Sequence, residues 1–435
     1  IQAMKPERIV HIGLGAFFRA HQAVYTQHAS DAKDWGIVAY TGRSALLADQ
    51  LRPQSCKYTL VVKTAAQESF ELIDSVVRVE AAENVANLIE TISKPEIAIV
   101  TLTITEAGYQ PSSEPLEGYA IGRLALALDA RRKAGFAAPT LLSCDNMPDN
   151  SMVLRAALLV AGSELGSEFQ EYVGQASYVS SSVDRITPRT TDEDVALVAA
   201  QGLPAAAPVI TEEFSDWVLS GDFPLGRPNW ESAGARFVAE LEPWENRKLW
   251  LLNGAHSLIA SYGLRLGYQS VDQAIQDSEI RTAVEAWWSD ATEQLPAGLD
   301  LENYKQSLLK RFSNPRISHK LEQIALEGLT KHSVRFATVA QEFLAKGVMP
   351  QGAIGALASY ITSLGLGFGL GDSRIQELNK ALASDDSVLA VLELISPKLA
   401  GSAAFVTELK LAVGQLSADL TSDLELQIST SLTNN

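Results

Sequence analysis

The chain has 435 residues, of which 46% are hydrophobic and 20% charged, so it can bury a core in each of two domains. Its formal net charge of −17 excludes a nucleic-acid backbone or an anionic membrane surface as the expected partner, because both would repel it. The two cysteines, Cys56 and Cys144, are too few for a disulfide framework and favour a reducing compartment such as the cytoplasm.

The first half of the chain has the pattern of a parallel α/β domain. Residues 8–13 form a short apolar run that ends in glycine, and residues 16–29 have helical composition, which predicts a strand, a tight turn and a helix. Residues 36–40, 97–104 and 140–144 are β-branched or apolar runs. They are too continuous for a half-exposed sheet, so we predict central parallel strands covered on both faces.

The second half is predicted to be mainly α-helical, with a domain boundary near Ala239. We therefore predict an α/β fold with an N-terminal domain at 1–239 and a helical C-terminal domain at 240–435. A weakly polar run at 352–370 approaches membrane-spanning length, but its glycines and hydroxyl residues favour a buried helix that leads into a Gly-rich loop. The predicted helices are 247–264, 278–294, 301–312, 319–329, 333–344 and the end of the chain.

A partial dinucleotide-binding fingerprint follows the first predicted strand. Gly13 would permit a tight turn, and Gly15 would let the backbone approach a pyrophosphate at a helix N-terminus formed by Ala16 and Phe17. The third glycine is missing, because Phe18 stands in its place. An ordinary turn is the alternative, but the position after the first strand predicts a Rossmann-type domain that binds its cofactor through Gly13, Gly15, Ala16 and Phe17.

The second strand does not decide between NAD and NADP. An acidic residue that binds the NAD ribose is expected near its end, but residues 40–44 contain none. Arg43 could receive the 2′-phosphate of NADP, and a solvated loop arginine is the alternative. We predict NAD and leave NADP open.

Two polar segments are candidates for catalysis. Lys248, Asn253 and His256 stand at i, i+5 and i+8 in an apolar stretch, and on an α-helix they would differ by about 140° and 80°, so all three could border one cleft. A partly desolvated lysine has a lowered pKa and can act as a base; the alternative is a surface lysine, a capping asparagine and a core histidine. After another predicted strand, Asn146 could donate to an alkoxide, whereas Asp145 could simply cap the next helix.

Seven segments together resemble the long-chain mannitol dehydrogenase family. Members of this family include mannitol 2-dehydrogenase, arabinitol dehydrogenase, mannitol-1-phosphate dehydrogenase, fructuronate reductase and tagaturonate reductase. The series runs in order over roughly three quarters of the chain, and its K-x4-N-x2-H element is highly specific. The segments read HIGLGAFFRAHQA, TEAGY, SCDNMPDN, VDRITPRT, GRPNWE, KLWLLNGAHS and RFSNPRI.

The resemblance implies a Rossmann-type N-terminal domain, a helical C-terminal domain and a reaction without a metal. It implies that Lys248 is the general base, that Asn146 and Asn253 stabilise the alkoxide, and that His256 helps to orient the substrate. The six histidines also form no recognisable metal-ligand cluster in the sequence.

Two departures from the family pattern concern the substrate. Relatives resemble W-x-x-E-D-x-F before the GRP segment, but here Gly221 replaces the acid and only Asp222 remains as a substrate-binding candidate. Where relatives carry D-G-S followed by a basic residue, this chain keeps the cation as Lys331 and loses the serine. We predict that Lys331, with Arg335 near it, binds a carboxylate or sugar hydroxyls.

The segments LNGAHS and HKLEQIALEG look more like the hexuronate reductases than like mannitol 2-dehydrogenase. We therefore predict reversible interconversion of a keto sugar or keto sugar acid, such as fructuronate, and its alcohol. The alternatives are a mannitol or arabinitol dehydrogenase, a dinucleotide-binding sensor without activity, and a transferase or epimerase on the same fold. The oligomeric state is left open.

Overall fold

The computed structural model describes residues 5–317 and 319–433, with side chains up to residue 419. The chain divides into two compact units between Glu242 and Pro243. The first unit contains a mainly parallel sheet with helices, and the second is mainly α-helical, which confirms the predicted fold class.

The strands of the first unit form two sheets in the described part of the chain. The larger sheet has the order β5-β2-β1-β6-β7-β8-β10-β11, and the smaller has the order β4-β3-β9. The strands are β1 Glu7–Ile12, β2 Gly36–Tyr40, β3 Tyr58–Lys63, β4 Glu68–Ile73, β5 Val76–Glu80, β6 Ile99–Leu102, β7 Thr140–Ser143, β8 Tyr178–Asp184, β9 Val209–Glu212, β10 Asp216–Ser220 and β11 Arg236–Phe237.

The larger sheet has the order of a doubly wound dinucleotide-binding fold. From β5 to β8 all neighbouring strands are parallel, and only β10 runs antiparallel to β8. Counted along the chain, these six parallel strands give the order 3-2-1-4-5-6. The carboxyl ends of β1, β6, β7 and β8 therefore meet at one edge, which is where such sheets bind their ligands.

The central strands form because both of their faces are covered. Along β1, Ile9 packs into one hydrophobic cluster, whereas Val10 and Ile12 pack into the cluster on the opposite face. Side chains alternate between the faces of a strand, so an apolar run without polar breaks fits only a strand covered on both sides.

Helices cover this sheet and make up most of the second unit. Two segments have π-helical hydrogen bonding, Lys248–Gly254 and Ser333–Ala337. The α-helices are α1 Ala16–Ala20, α2 Gln22–His28, α3 Leu46–Leu51, α4 Val85–Ile92, α5 Ala120–Lys133, α6 Asn150–Ala161, α7 Ser167–Gly174, α8 Asp192–Ala200, α9 Glu242–Arg247, α10 Ala255–Arg265, α11 Val271–Ala274, α12 Ser278–Glu293, α13 Leu301–Phe312, α14 Leu321–Ile324, α15 Gly328–His332, α16 Thr338–Ala345, α17 Gln351–Gly365, α18 Ile375–Leu382, α19 Ser387–Ile395, α20 Pro397–Ala400 and α21 Ala403–Thr433.

Two predicted helices are interrupted. The helix predicted at 16–29 breaks at His21, whose buried imidazole bonds the backbone carbonyl of Asp216 at 2.9 Å and whose backbone is not helical. The helix predicted at 319–329 is wrong as a continuous element. It ends at Ile324, and Glu327 then adopts a left-handed φ of 55° before α15 begins at Gly328.

The run at 352–370 forms α17 and a following Gly-rich loop, as predicted. Its side chains are buried from Gly352 to Leu364 except at Gly355, and the helix packs against α12 and α10. Among the described residues, no helix combines the length and the apolar character that crossing a bilayer requires.

We predict opposite effects on stability for two glycines of α17. A Cβ at Gly352 would lie 2.2 Å from the carbonyl oxygen of Ala286 in α12, so Gly352→Ala should lower the free energy of unfolding by about 1–3 kcal/mol. A Cβ at Gly355 would meet nothing within 4 Å, so Gly355→Ala should raise it by up to about 1 kcal/mol through helix propensity. Denaturant unfolding of both variants tests this; equal effects would contradict the close packing of α17 on α12.

Candidate active site

The turn after β1 requires glycine at position 13. Gly13 has a φ of +105°, and a Cβ there would lie 2.0 Å from the carbonyl oxygen of Thr103. The Thr103 hydroxyl also donates to the carbonyl of Gly13 at 2.9 Å. The positive φ and the close approach to Thr103 both require glycine at this position of the turn.

Phe18 fills the space where the fingerprint would have its third glycine. Its ring is fully buried and stacks on His11 with 3.6 Å between the ring centroids and an interplanar angle of 9°. The two ring nitrogens of His11 bond the hydroxyls of Thr101 at 2.8 Å and Thr103 at 3.0 Å. The third glycine normally lets the helix pack closely on the strand, but here an aromatic stack joins strand and helix.

The other predicted cofactor residues lie around the same edge of the sheet. Gly15 is the N-cap of α1, and Gly15, Ala16 and Phe17 are all partly exposed. The first N–H groups of a helix have no partner within the helix, and they attract an anion such as a pyrophosphate. Arg43 is exposed in the loop after β2.

Asp145 joins the TEAGY and SCDNMPDN segments. Its carboxylate accepts hydrogen bonds from the backbone N–H of Ile104 at 3.0 Å and of Thr105 at 2.8 Å, and from the Tyr109 hydroxyl at 2.6 Å. Burial raises the pKa of Asp145 above its ordinary value, and the hydrogen bonds from these three donors offset only part of that rise. The alternative that Asp145 caps the following helix is wrong, because Asp149 is the N-cap of α6.

Asn146 follows at the exposed tip of this loop, at the carboxyl end of β7. The base of the loop is fixed by Asn150, whose amide nitrogen donates to the carbonyls of Asp145 at 3.1 Å and Ser181 at 2.7 Å. Asn146 therefore stands on a rigid support at the ligand-binding edge of the sheet.

Asp222 lies away from that edge. Because β10 runs antiparallel to β8, its last residue, Ser220, pairs with Ser180 near the start of β8, and Ser177 donates to the Asp222 carbonyl at 2.5 Å. Gly221 has a φ of +135°, and a Cβ there would lie 3.0 Å from the Tyr178 carbonyl oxygen, so this backbone does not accept the family acid. The predicted substrate contact of Asp222 is not supported, since Asp222 is at the opposite edge from Gly13 and Asn146.

The acid that the sequence analysis missed at the carboxyl edge is Asp184. It ends β8 and is only 9% exposed. It belongs to the VDRITPRT segment, but β8 was not predicted as a strand, so the position of its carboxylate could not be inferred.

In the second unit, the lysine segment is π-helical. Lys248–Gly254 has π-helical bonding, in which the N–H of residue i+5 bonds the carbonyl of residue i. The offsets derived for an α-helix are therefore wrong: Lys248 and Asn253, five residues apart, lie about one turn above each other. His256 follows three residues later in α10, so the three partly buried side chains lie along one side of the helix.

Three side-chain donors bond backbone carbonyls of this segment. The indole nitrogens of Trp287 and Trp288 in α12 donate to the carbonyls of Trp250 at 2.8 Å and Leu251 at 2.9 Å. Arg335 Nη1 donates to the carbonyl of Asn253 at 2.9 Å. A π-helical turn inside an α-helix disturbs the regular pairing of carbonyls, and these donors satisfy groups at the irregular positions.

The ring of His256 contacts two other rings, and one of these, His319, lies near the ammonium of Lys331. The His256 ring contacts Phe312 at 4.9 Å and His319 at 5.6 Å between centroids, the second contact being edge-on. Partial desolvation and the neighbouring Lys331 ammonium lower the pKa of His319. Burial, and then the charge of Arg335, lower the pKa of Lys331, whose Nζ donates to the Ile324 carbonyl at 2.9 Å.

His319 is a second residue that the sequence analysis did not place in a site. Its only sequence signal is its position at the start of HKLEQIALEG, the segment that resembles the hexuronate reductases. In the described part of the chain, no group of three or more His, Cys, Asp and Glu residues is arranged to hold a metal ion.

Comparison with known proteins identifies the family. The mannitol dehydrogenase Rossmann domain matches residues 7–232, and the mannitol dehydrogenase C-terminal domain matches residues 240–417. The chain belongs to the mannitol dehydrogenase family. As a member, it is an NAD(P)-dependent oxidoreductase of polyols or sugar acids that acts on secondary alcohols.

Named relatives span sugar acids and polyols. D-mannonate oxidoreductase of Escherichia coli is 34% identical over 74% of this chain and 73% of its own length. Polyol:NADP oxidoreductase of Gluconobacter oxydans is 33% identical over 91% of this chain and 88% of its own. The structure of Pseudomonas fluorescens mannitol 2-dehydrogenase, a ternary complex with NAD and D-mannitol, is 30% identical, covers 99% of this chain and 96% of its own, and has a TM-score of 0.76.

We predict that His11 makes this dehydrogenase sensitive to acid. Burial lowers the pKa of His11 from its ordinary value of 6.5 to about 3, so the folded state keeps the ring neutral while the unfolded state protonates it below pH 6.5. The free energy of unfolding should therefore be highest above pH 6.5 and decrease as the pH falls toward 3. Denaturant unfolding between about pH 7.5 and 5 measures this dependence.

Two variants separate His11 from the other titrating groups. His11→Gln should be less stable at neutral pH and should show a flatter pH dependence. His28→Gln removes an exposed histidine that pairs with Glu71 and should keep the steeper dependence of the unmodified protein. Parallel curves for His11→Gln and the unmodified protein would contradict a buried neutral His11.

Proposed function

We propose that this family member interconverts a keto sugar acid of the fructuronate type and the corresponding sugar-acid alcohol, with Lys248 as the general base. The observation that carries the proposal is the alignment of Lys248, Asn253 and His256 along one side of a helix, with His319 against His256 and Lys331 beside His319. The resemblance of this region to the hexuronate reductases and the match to a D-mannonate oxidoreductase support the sugar acid.

Each polar group of this constellation has a distinct task. Lys248 takes the proton of the substrate hydroxyl during oxidation and returns it during reduction. The amide of Asn253 donates to the oxygen as negative charge develops on it. For Asn146 we propose the alkoxide-stabilising role that the family resemblance implies. His256 orients the substrate hydroxyls. Asp184, at the carboxyl end of β8, replaces Asp222 as the proposed acid on the substrate side.

The residues present fit a nicotinamide dinucleotide. The turn at Gly13 has no room for a Cβ, and the N-terminus of α1 at Gly15, Ala16 and Phe17 suits a pyrophosphate. When bound, the cofactor accepts a hydride from the carbinol carbon or returns it. We propose NAD, as in the Pseudomonas fluorescens ternary complex, and the exposed Arg43 would serve the 2′-phosphate if NADP is used instead.

Lys331 is the proposed ligand of the substrate carboxylate. The protein carries a net charge of −17, so an anionic substrate needs a local cationic group. One hydrogen bond of the Lys331 ammonium goes to Ile324, and an ammonium has three donors, so two remain for a ligand. The lowered pKa of Lys331, which reflects partial burial beside Arg335, indicates a cation that would gain from a bound anion.

Replacement of Lys248 tests the general base. Lys248→Ala should lower turnover by about 100- to 10,000-fold, because proton transfer by a positioned side chain contributes that much. Added small primary amines should restore part of the activity, since they can take the proton in place of the neutral Lys248 amine. Lys346→Ala removes a lysine that bonds only the side chain of Gln294 among the contacts described, and should leave turnover unchanged. Full turnover of Lys248→Ala would overturn the assigned role.

A substrate panel with Lys331→Met tests the sugar acid. We expect oxidation of NADH or NADPH with fructuronate or tagaturonate, and little with fructose or xylulose. Lys331→Met should raise KM for the uronate by about 10- to 100-fold, the effect of one charge-assisted hydrogen bond. Lys320→Met, at an exposed neighbouring lysine, is the matched control. Activity on the neutral ketoses alone would show that the enzyme acts on polyols and not on sugar acids. No activity on any of the four ketoses would favour a sensor.

A further inference from the structure

Arg335 connects the two π-helical segments of the second unit. It lies within Ser333–Ala337, and its Nη1 donates to the Asn253 carbonyl at 2.9 Å and to the Ser257 hydroxyl at 2.6 Å. Ser257 is only 3% exposed, so this bond lies in the protein interior. One nitrogen of Arg335 thus bonds both Asn253, which carries the proposed alkoxide-binding amide, and Ser257 in the first turn of α10.

The bond from Arg335 lies at a different part of the π turn from the two indole bonds. Trp287 and Trp288 bond the carbonyls of Trp250 and Leu251, in the middle of the π turn, whereas Arg335 bonds the carbonyl of Asn253 near its end. This end is where i+5 pairing returns to the i+4 pairing of α10. The donor to the Asn253 carbonyl therefore acts at the end of the turn, on the backbone of the residue whose amide is proposed to bind the alkoxide.

A guanidinium suits this task. Burial lowers the pKa of Arg335 to about 10, so the group stays charged at neutral pH, and a charged donor forms a stronger bond to a carbonyl than a neutral one. Its Nε is buried without a hydrogen-bond partner among the described residues, and the residue as a whole is only partly exposed.

We propose that Arg335 is a positioning residue that acts through Asn253: it fixes the π turn in the register that places Lys248 and the Asn253 amide on one side of the helix. This inference rests on the proposed function, because it assumes that Asn253 stabilises the developing alkoxide. It differs from a contact between Arg335 and the substrate carboxylate, which would affect only acidic substrates.

Kinetics of Arg335→Met distinguish the two roles. A positioning role predicts that kcat falls by about 10- to 100-fold with little change in KM, the effect expected from a small displacement of a reacting group. The fall should be the same for a sugar acid and for any neutral alcohol that the enzyme accepts. Arg335→Lys should restore part of kcat if its ammonium reaches the carbonyl. A higher KM for the acid alone would overturn the proposal in favour of a carboxylate contact.

A double-mutant cycle shows whether Arg335 acts through Asn253. If it does, Arg335→Met combined with Asn253→Ala should be no slower than Asn253→Ala alone, whereas independent effects would multiply. Multiplying effects would overturn the proposal. Full activity of Asn253→Ala would instead show that the proposed role of Asn253 is wrong, so the two failures are separate.

A second arginine controls for general destabilisation. Arg281 also donates to a backbone carbonyl of the second unit, that of Ile275 at 3.3 Å, but it lies outside both π segments. Arg281→Met should keep the kcat of the unmodified enzyme. If both arginine variants lose kcat to the same extent, the effect is general loss of structure, and the positioning role is overturned.

Discussion

Backbone carbonyls need hydrogen-bond donors where a helix of the second unit changes from α-helical to π-helical pairing. A π turn brings Lys248 and Asn253 onto one side, but it disturbs the carbonyl pairing around it. The indoles of Trp287 and Trp288 and the guanidinium of Arg335 supply donors at those carbonyls. The geometry of the proposed catalytic segment therefore involves side chains that bond its backbone and need not touch a substrate.

The first unit meets the same kind of constraint by another route. At Gly13 the backbone approaches Thr103 so closely that no side chain fits, and hydroxyl and imidazole groups bond across the gap. At Asp145 a buried carboxylate collects N–H groups from the loop after β6 and fixes the loop that carries Asn146. In both cases polar groups of irregular backbone at the carboxyl edge of the sheet bond other groups of the protein. These bonds fix the shape of that edge.

The sequence predicted the regular parts of this fold and missed the irregular ones. Continuous apolar runs located β2, β6 and β7, because strands that are covered on both faces consist almost entirely of apolar residues. Periodicity could not reveal that Lys248 begins a π turn, since the carbonyls of this turn are bonded by donors from distant parts of the chain. Nor could the family pattern that suggested Asp222 reveal that β10 runs antiparallel to β8, because the direction of a strand in its sheet is not evident from the strand's own residues.

Gly254 and Trp287 form a pair that related sequences should change together or not at all. A Cβ at Gly254 would lie 2.7 Å from Nε1 of Trp287, and that same nitrogen bonds the carbonyl of Trp250. A larger residue at 254 would displace the indole, and loss of the indole would leave the carbonyl without its donor. Among related proteins, substitutions in the lysine segment are thus expected to be accompanied by substitutions in α12. The two segments should therefore evolve together.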